Sequence, residues 1–320
     1  MSYESNITLP SALLELQSDI ETIKNNHALQ EEISFVDRAE AIDYLDFHVI
    51  DRFDGLLQEN FVSDELIALK QRAQDLKHSL ENIDKDIFLH FRTMIHAGTC
   101  TGIAFKHEIE KYLTNGDDGS PKNGEEGYDA LDLLINGIFH VQDLPMESKE
   151  REPEMVFYQK TPARIIFELA EKAQFGETDV FYDLGSGLGQ VPLLMHLLTG
   201  VMAKGIEFEP AFCQYAQDCA STLNLKSVEF INADARSMLY NDGTVFFMYT
   251  PFVGSMMQEM LNILREESKQ RRIRIFTYGP CTEEVAKQKW LIPVEHPQSF
   301  SKLFKTKTQF SPLEFRQSFN

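Results

Sequence analysis

Residues 180–190 read Val-Phe-Tyr-Asp-Leu-Gly-Ser-Gly-Leu-Gly-Gln. A β-branched and aromatic run ends in the carboxylate of Asp183, and a glycine-rich turn follows at once. The turn opens into a predicted helix near Gln190, since Pro192 suits a first helical turn and Gly200 suits the position just past a helix end. A buried strand, a tight turn and a helix in this order predict an α/β fold with a ligand site at the carboxyl end of the strand.

The spacing within this turn indicates the kind of ligand. Gly185, Gly187 and Gly189 follow the acid in the pattern acid-x-Gly-x-Gly-x-Gly, and such glycines let the backbone approach a ligand closely. A dinucleotide loop reads Gly-x-Gly-x-x-Gly instead, so its third glycine would fall one residue later. A carboxylate before the turn would repel a pyrophosphate, whereas it suits a ligand that carries an ammonium and a sulfonium. We therefore expect S-adenosylmethionine.

A second predicted strand, residues 201–207, ends in Glu207, which lies 24 positions after Asp183. An acid at about this distance accepts hydrogen bonds from ribose hydroxyls, by the logic of the acid that follows a dinucleotide loop. Glu209, two residues later, is the alternative ribose ligand. The alternative for either residue is a surface position with no ligand, which is more common for a single Asp or Glu.

The third predicted strand, residues 227–232, runs into Ala233 and Asp234. Asp234 is placed to accept a hydrogen bond from the adenine amino group. The backbone amide of Ala233 is the matching donor to the adenine ring.

Residues from about 155 to 320 resemble class I S-adenosylmethionine-dependent methyltransferases. The motif is similar to that of the non-SET histone-lysine methyltransferases of the telomeric-silencing-disruptor type, which share the Asp-Leu-Gly-Ser-Gly-x-Gly-Gln string found from Asp183 to Gln190. They also share Tyr-x-x-Thr, matched by Tyr158 and Thr161. The resemblance implies a Rossmann-like sheet of seven strands, and it implies that Tyr158, Thr161 and Gln190 hold the methionine end of the cofactor. Apart from the resemblance, Thr161-Pro162 predicts a helix N-cap followed by proline at the first helical position.

The fourth predicted strand is residues 244–249, and the predicted acceptor site is the loop that follows it, residues 249–252. This loop reads Tyr249-Thr250-Pro251-Phe252. The histone enzymes have Asn-Asn-Phe at this place, and amino-group methyltransferases have Asn/Asp-Pro-Pro-aromatic. Thr250 offers one hydroxyl where Asn offers a carbonyl and an amino group. Tyr249 and Phe252 are expected to wall the reacting atoms. The alternative is a tight turn with a packed Phe.

Charge is distributed unevenly along the chain. Residues 1–150 hold 30 of the 50 acidic residues but only 12 of the 30 Lys and Arg. Nucleic-acid phosphates demand a basic face, so we expect no nucleic-acid partner. The acidic half would tolerate a basic protein or a cationic small molecule, and the simpler interpretation is a solvated acidic surface.

The sequence predicts three regions: a helical domain at 1–114, a mobile loop and connecting helix at 115–154, and the cofactor-binding domain at 155–320. In the first region, one heptad stripe starts at Leu66 and ends at Ile87, and an earlier stripe from Ile42 to Leu56 is its predicted antiparallel partner. The alternative is a seam between copies of the chain. Residues 115–124 are too rich in Gly, Asn, Asp and Pro to hold structure, and 128–139 form an amphipathic helix.

The tail predicts a fifth strand at 273–277, a helix capped at Thr282, and a closing antiparallel hairpin of 290–295 and 302–308. No apolar run of about 18 residues and no leader is present, and the four cysteines form no Cys-x-x-Cys pair, so we expect a cytoplasmic protein with reduced thiols and no membrane segment. The histidines lack ligand spacing, so no metal is expected.

These features predict a methyltransferase that acts on an amine-type acceptor, a protein lysine in the family that it resembles. A small-molecule methyltransferase is the alternative. A third reading, from another class, is a non-catalytic scaffold that retains the cofactor fold. Intact acids at 183, 207 and 234 argue against it.

Overall fold

The computed structural model describes residues 9–58, 63–113, 129–295 and 311–318. The chain divides into two compact units, one of residues 1–90 and 110–119 and the other of 91–109 and 120–320. The predicted mobile loop at 115–124 and the predicted strand at 302–308 lie outside the described residues. The three-region division stays a prediction.

The first unit is helical, as predicted. Its elements are α1 (Leu9–Asn25), a 3-10 turn (His27–Gln30), α2 (Phe35–Tyr44), a π-helical segment (Leu45–Ile50) and α3 (Asp51–Gln58). Two further helices, α4 (Asp64–His96) and α5 (Ile103–Leu113), have residues in both units. Residues of both predicted stripes share one core with α1. The ion pairs Lys77–Asp46 and Lys70–Asp54 run in opposite order along the two arms, which confirms the antiparallel hairpin.

The π-helical segment was not predicted, and neither was the buried arginine beside it. Arg38 is fully buried and donates to the Asp84 carboxylate at 2.6 Å. Its other nitrogens donate to backbone carbonyls of residues 29, 31 and 32. A buried guanidinium needs such partners, because a desolvated charge without them is costly.

The second unit contains one seven-stranded sheet. Its strands are β1 (Val180–Leu184), β2 (Met202–Glu207), β3 (Val228–Asn232), β4 (Val245–Tyr249), β5 (Arg274–Tyr278), β6 (Leu291–Val294) and β7 (Leu313–Gln317). The order is β3-β2-β1-β4-β5-β7-β6, with the first five strands parallel and β7 antiparallel to both neighbours. The first six strands were predicted to within one residue at each end. The α/β, Rossmann-like fold with an N-terminal helical region is confirmed.

The helices of this unit cover the sheet. They are α6 (Ala130–Phe139), α7 (Ala163–Ala173), α8 (Gln190–Thr199), α9 (Pro210–Thr222), α10 (Gly254–Gln270) and α11 (Cys281–Ala286). The helix predicted near Gln190 is confirmed, and Gly200 lies just past its end with φ 75°. No helix in the described ranges is long and apolar enough to cross a membrane.

Two predicted helix caps are wrong. The helix after Thr161 begins at Ala163, with Pro162 as its N-cap and no side-chain cap bond. The buried carboxylate of Asp132, from α6, accepts from the Ala163 N–H at 2.7 Å instead. The last helix begins at Cys281, one residue before the predicted cap, and the Thr282 hydroxyl donates to Thr277 Oγ1 at 2.9 Å. In the first case a tertiary contact replaces the local one.

Candidate cofactor and acceptor site

An open cleft of about 1040 Å³ lies at the carboxyl edge of the parallel strands. From β1 the chain first builds the sheet to one side, through β2 and β3, and then to the other side, through β4 and β5. The switch point lies between β1 and β4, and open α/β sheets bind ligands at such a point. All but one of the residues predicted from the sequence line this cleft: Tyr158, Thr161, Asp183, Gly185, Gly187, Gln190, Glu207, Ala233, Asp234, Tyr249, Thr250 and Phe252. The exception is Gly189.

The glycine turn is shaped by close contacts on both sides. Gly187 has φ 52°, and a Cβ there would lie 2.1 Å from the Tyr158 ring. Gly185 has φ 84°, and its Cβ would lie 2.5 Å from the Cβ of Pro251. Both positions therefore require glycine. The second contact places the predicted acceptor loop directly against the predicted cofactor loop.

Gly189 has a different role. Its φ is 83°, and a Cβ there would meet Ala216 and Phe230 at 2.6 Å each. This glycine lets α8 and α9 approach the sheet, which explains why it lies outside the cleft.

Asp183 is the penultimate residue of β1 and is 3% exposed. No hydrogen bond to its carboxylate is found among the described residues, although buried polar groups nearly always have one. Burial, and then the charge of Glu207, raises the pKa of this carboxyl well above 3.8. A cationic ligand in the cleft would supply the missing counter-charge.

Glu207 ends β2 and is 9% exposed. Its carboxylate accepts from the backbone N–H of Gly187 at 2.6 Å and of Glu209 at 2.8 Å. Burial raises its pKa, and these hydrogen bonds oppose the rise. The carboxylate is thus fixed beside the glycine turn.

Glu209 also borders the cleft, but its oxygens are committed to the chain. It accepts from the Ser148 hydroxyl at 2.5 Å and from the backbone N–H groups of Lys149 and Ala211 at 2.8 and 3.0 Å. Burial would raise its pKa, but these hydrogen bonds hold it below the usual value. Glu209 caps α9 and anchors residues 148–149, and its three donors leave it less free acceptor capacity than Glu207 has with two.

Asp234 follows β3 and is held by Arg236, a residue that the sequence reasoning missed. The Arg236 backbone N–H and Nε donate to Oδ1 at 2.8 and 3.0 Å, and Nη2 donates to Oδ2 at 2.6 Å. The hydrogen bonds from the Arg236 side chain lower the pKa of Asp234. An acid and an arginine two residues apart after a strand were the available signal.

Gln190 begins α8 and is 5% exposed. Its Nε2 donates to the Thr161 carbonyl at 3.0 Å, so the predicted neighbours do meet. Its Oε1 is buried with no partner among the described residues, and so is the Ser186 hydroxyl oxygen. These two orphaned polar atoms and the unpaired Asp183 fit a ligand that carries an ammonium group.

The acceptor loop has a strained residue at its centre. Thr250 has φ 42°, rare for a β-branched side chain. Its hydroxyl accepts from the Cys281 N–H at 3.1 Å and lies 3.4 Å from the Tyr278 carbonyl. The Thr250 hydroxyl therefore fixes the loop to the end of β5 and the start of α11. The side chain of Phe252, which is 6% exposed, borders the cleft.

Residues 147–157, here called the strap, lie against this loop, and no motif or periodicity predicted this contact. The Val156 N–H donates to the Pro251 carbonyl at 3.1 Å, and the Val253 N–H donates to the Glu154 carbonyl at 2.9 Å. Between them, residues 155 and 252 form an antiparallel bridge. The Glu154 carboxylate also accepts from the Met256 N–H at 2.7 Å and so caps α10.

Residues 153–231 match the model of the DOT1 histone methylation protein family. No curated protein matches the chain. Among solved structures, an RNA methyltransferase from Salinibacter ruber in complex with S-adenosyl-L-homocysteine is 24% identical, with TM-score 0.38, over 50% of this chain and 92% of that one. The human methyltransferase 10 domain containing protein is 16% identical, with TM-score 0.37, over 59% and 94%.

Geranyl diphosphate C-methyltransferase from Streptomyces coelicolor A3(2) is 18% identical, with TM-score 0.31. The match covers 36% of this chain and 42% of that one, so this chain spans less than half of that protein's length.

The family match, which covers the last residues of the strap, β1, β2 and most of β3, agrees with the resemblance found in the sequence. The chain is an S-adenosylmethionine-dependent methyltransferase, and its cofactor is S-adenosylmethionine.

Proposed function

We propose that this methyltransferase acts on an amine, the side-chain amino group of a protein lysine. The observation that carries the proposal is the contact between Pro251 and Gly185, which sets a loop with aromatic walls against the glycine turn within one acidic cleft. The family match to a histone methylation protein supports a lysine acceptor. The acidic composition of the chain suits a basic partner.

The cofactor in this proposal lies along the carboxyl edge of β1, β2 and β3. Asp183 and Gln190 face its methionine end together with Tyr158 and Thr161. Glu207 accepts from the ribose hydroxyls. Farther along the edge, Asp234 contacts adenine. The Ala233 N–H, predicted to donate to the adenine ring, instead donates to the Glu207 carbonyl at 3.0 Å, so Ala233 borders the ring without that hydrogen bond. The support is that these residues line one cleft and that the oxygens of Asp183 and Gln190 that lack partners among the described residues lie in β1 and at the start of α8, on either side of the glycine turn.

Methyl transfer asks little covalent chemistry of the chain. The bound cofactor supplies an activated sulfonium methyl group, and the acceptor nitrogen displaces the thioether in line, so positioning and desolvation set the rate. The acceptor ammonium must first lose a proton, to solvent or to a cleft carboxylate. Tyr249 and Phe252 wall the acceptor and exclude water, and the carboxylates attract its cationic form into the cleft.

A small molecule is the second candidate acceptor, and the acceptor loop itself favours it. The Pro251 carbonyl is occupied by the strap, and the Thr250 hydroxyl is occupied by Cys281. The loop therefore lacks the free acceptor pair with which amino-group methyltransferases orient an NH2. In this alternative the acceptor is selected by the shape of the aromatic walls.

Calorimetric titration with S-adenosylhomocysteine tests the cofactor assignment. We expect binding near 1 μM, about −8 kcal/mol, that is lost in Glu207→Ala and retained in Glu209→Gln. Equal loss in both variants would show that the two acids were wrongly distinguished. No binding to the wild type would refute the assignment of the whole cleft.

Turnover of Phe252→Ala tests the acceptor loop. We expect unchanged affinity for S-adenosylhomocysteine and strongly reduced methyl transfer. Phe315→Ala is the matched control, because Phe315 packs in the same hydrophobic cluster but does not line the cleft. Equal loss of affinity and turnover in Phe252→Ala would contradict the proposal.

Incubation of a lysate with methyl-tritiated cofactor identifies the acceptor class. Label in protein, recovered as methyl-lysine after hydrolysis, supports the first candidate. Label confined to the small-molecule fraction supports the second.

We also propose that the enzyme works in the cytoplasm. All four cysteines, which lie in the described residues, are buried and free, as is usual in a reducing compartment. Recovery of the tagged protein mainly in a membrane or secreted fraction would contradict this.

A further inference from the structure

Arg236 is anchored by acids on several sides. Besides its fork onto Asp234, Nη2 donates to the Glu152 carboxylate of the strap at 2.8 Å. Its Nη1 lies 3.5 Å from the Glu259 carboxylate on α10. The guanidinium is 22% exposed. Its position is therefore set by three separate segments of the chain and not by Asp234 alone.

This anchoring determines what Asp234 offers to a ligand. A carboxylate has about four lone-pair sites. Three donors of Arg236 make four contacts with it: the backbone N–H with Oδ1, Nη2 with Oδ2, and Nε with both oxygens, at 3.0 and 3.1 Å. Because Nε is shared between the two oxygens, three donors face four lone-pair sites, and the remaining site has an orientation fixed by the fork. Because Arg236 also keeps the carboxyl ionised, the remaining site can accept a hydrogen bond but cannot donate one.

The cleft lies on the open side of this carboxylate, where Asp234 and Ala233 both line it. A ligand group that donates, such as an exocyclic amino group, would fit the remaining site. A carbonyl at the same place would meet two negative oxygens. An arginine that fixes both the orientation and the ionisation of an acceptor therefore sharpens the choice between these groups.

We propose that Arg236 is a positioning residue for adenine recognition, which holds Asp234 as an oriented acceptor selective for the exocyclic amino group of the cofactor. The inference rests on the proposed contact between Asp234 and adenine. It adds that base selectivity is a property of the pair and not of the carboxylate alone.

The test is a ratio of affinities. Calorimetry gives the dissociation constants for S-adenosylhomocysteine and for S-inosylhomocysteine, which carries an oxo group in place of the 6-amino group. We expect the wild type to prefer the adenine ligand at least about tenfold, the size of one charged hydrogen bond. Arg236→Ala should reduce the preference to below about threefold, mainly by weakening the adenine ligand.

Two control variants separate positioning from general damage. A merely structural role for Arg236 would weaken both ligands equally and leave their ratio unchanged, which would overturn the inference. Glu259→Gln removes the weakest of the anchoring contacts and should keep the ratio. If Arg236→Ala does not fold, Arg236→Lys serves, because it retains the charge but not the fork. A wild-type ratio in Arg236→Lys would likewise refute the proposal.

Asp234→Asn distinguishes this failure from failure of the proposed cofactor placement. If Asp234→Asn binds the cofactor with a wild-type ratio, Asp234 does not read adenine, and the placement itself is wrong. If Asp234→Asn loses the preference while Arg236→Ala keeps it, the placement stands and the inference about Arg236 fails.

Discussion

Replacing Asp183 by asparagine should make the ligand-free protein more stable and unable to bind its cofactor. The carboxylate is 3% exposed and has no hydrogen bond among the described residues, and the Glu207 carboxylate raises its pKa further. An unsatisfied buried polar group costs about 1–3 kcal/mol. Asparagine is still a buried polar group, but it removes the charge, whose burial costs more than that of a neutral group; the variant should therefore gain about 1 kcal/mol or more, at roughly 2–4 °C in Tm for each kcal/mol.

The effect has a defined pH dependence. Because the folded-state pKa of Asp183 is raised above its ordinary value of 3.8, the protonated form stabilises the fold. That contribution is complete below the unfolded-state pKa and is lost as pH rises through the folded-state pKa. Asparagine mimics the protonated form at every pH. The stability difference between variant and wild type should therefore be largest at neutral pH and should close near pH 4.

Urea denaturation at several pH values, with and without S-adenosylhomocysteine, measures both effects. Ligand at a hundred times its dissociation constant should add about 2.7 kcal/mol to the free energy of unfolding of the wild type and nothing to that of Asp183→Asn. With ligand present, the stability advantage of the variant should therefore shrink or change sign. Glu209→Gln is the matched control in the same cleft. Its hydrogen-bonded carboxylate has a lowered pKa, so this change should destabilise the protein. A less stable Asp183→Asn at pH 7 would refute the reasoning.

Three further predictions follow from single contacts. Gly187→Ala places a Cβ 2.1 Å from the Tyr158 ring at φ 52°, so it should destabilise the fold by at least ~1–2 kcal/mol and weaken S-adenosylhomocysteine binding by calorimetry; wild-type affinity would contradict this. Binding of S-adenosylmethionine should release protons, because the cationic ligand lowers the raised pKa of Asp183; calorimetry would show heats that depend on the buffer, and heats that do not depend on the buffer would contradict this. Arg38→Met leaves the buried Asp84 carboxylate unpaired and should cost about 3–5 kcal/mol in urea denaturation, whereas adding Asp84→Leu should restore most of it.

The sheet and the position of the acids at its carboxyl edge could be predicted because their signals are local. A strand, an acid and a glycine turn follow one another within 180–190, and Glu207 and Asp234 each stand at or just after a strand end. The cap at Thr161 was wrong because Asp132, distant in sequence, supplies the bond that a local hydroxyl was expected to make. The local sequence around Thr161 contains no information about the position of the Asp132 carboxylate.

The strap and the Arg236 fork escaped prediction for a related reason. The hydrogen bond from Val156 to Pro251 joins residues about a hundred positions apart and uses backbone groups that every residue has. Arg236 bridges Asp234 to Glu152 through side-chain orientation. Neither feature leaves a periodicity or a motif, since both depend on how two finished segments meet.

In the proposed function, the acceptor loop selects its acceptor by shape, because the chain holds this loop firmly. Thr250 occupies a backbone conformation that costs on the order of 1–3 kcal/mol for a residue other than glycine, and Cys281 holds it there from behind. The strap donates a hydrogen bond to the Pro251 carbonyl and forms an antiparallel bridge with Phe252. A loop fixed on both faces gains little by adapting to its ligand. Selection then falls to preformed aromatic walls, and the rate advantage falls to an acceptor that already fits between them.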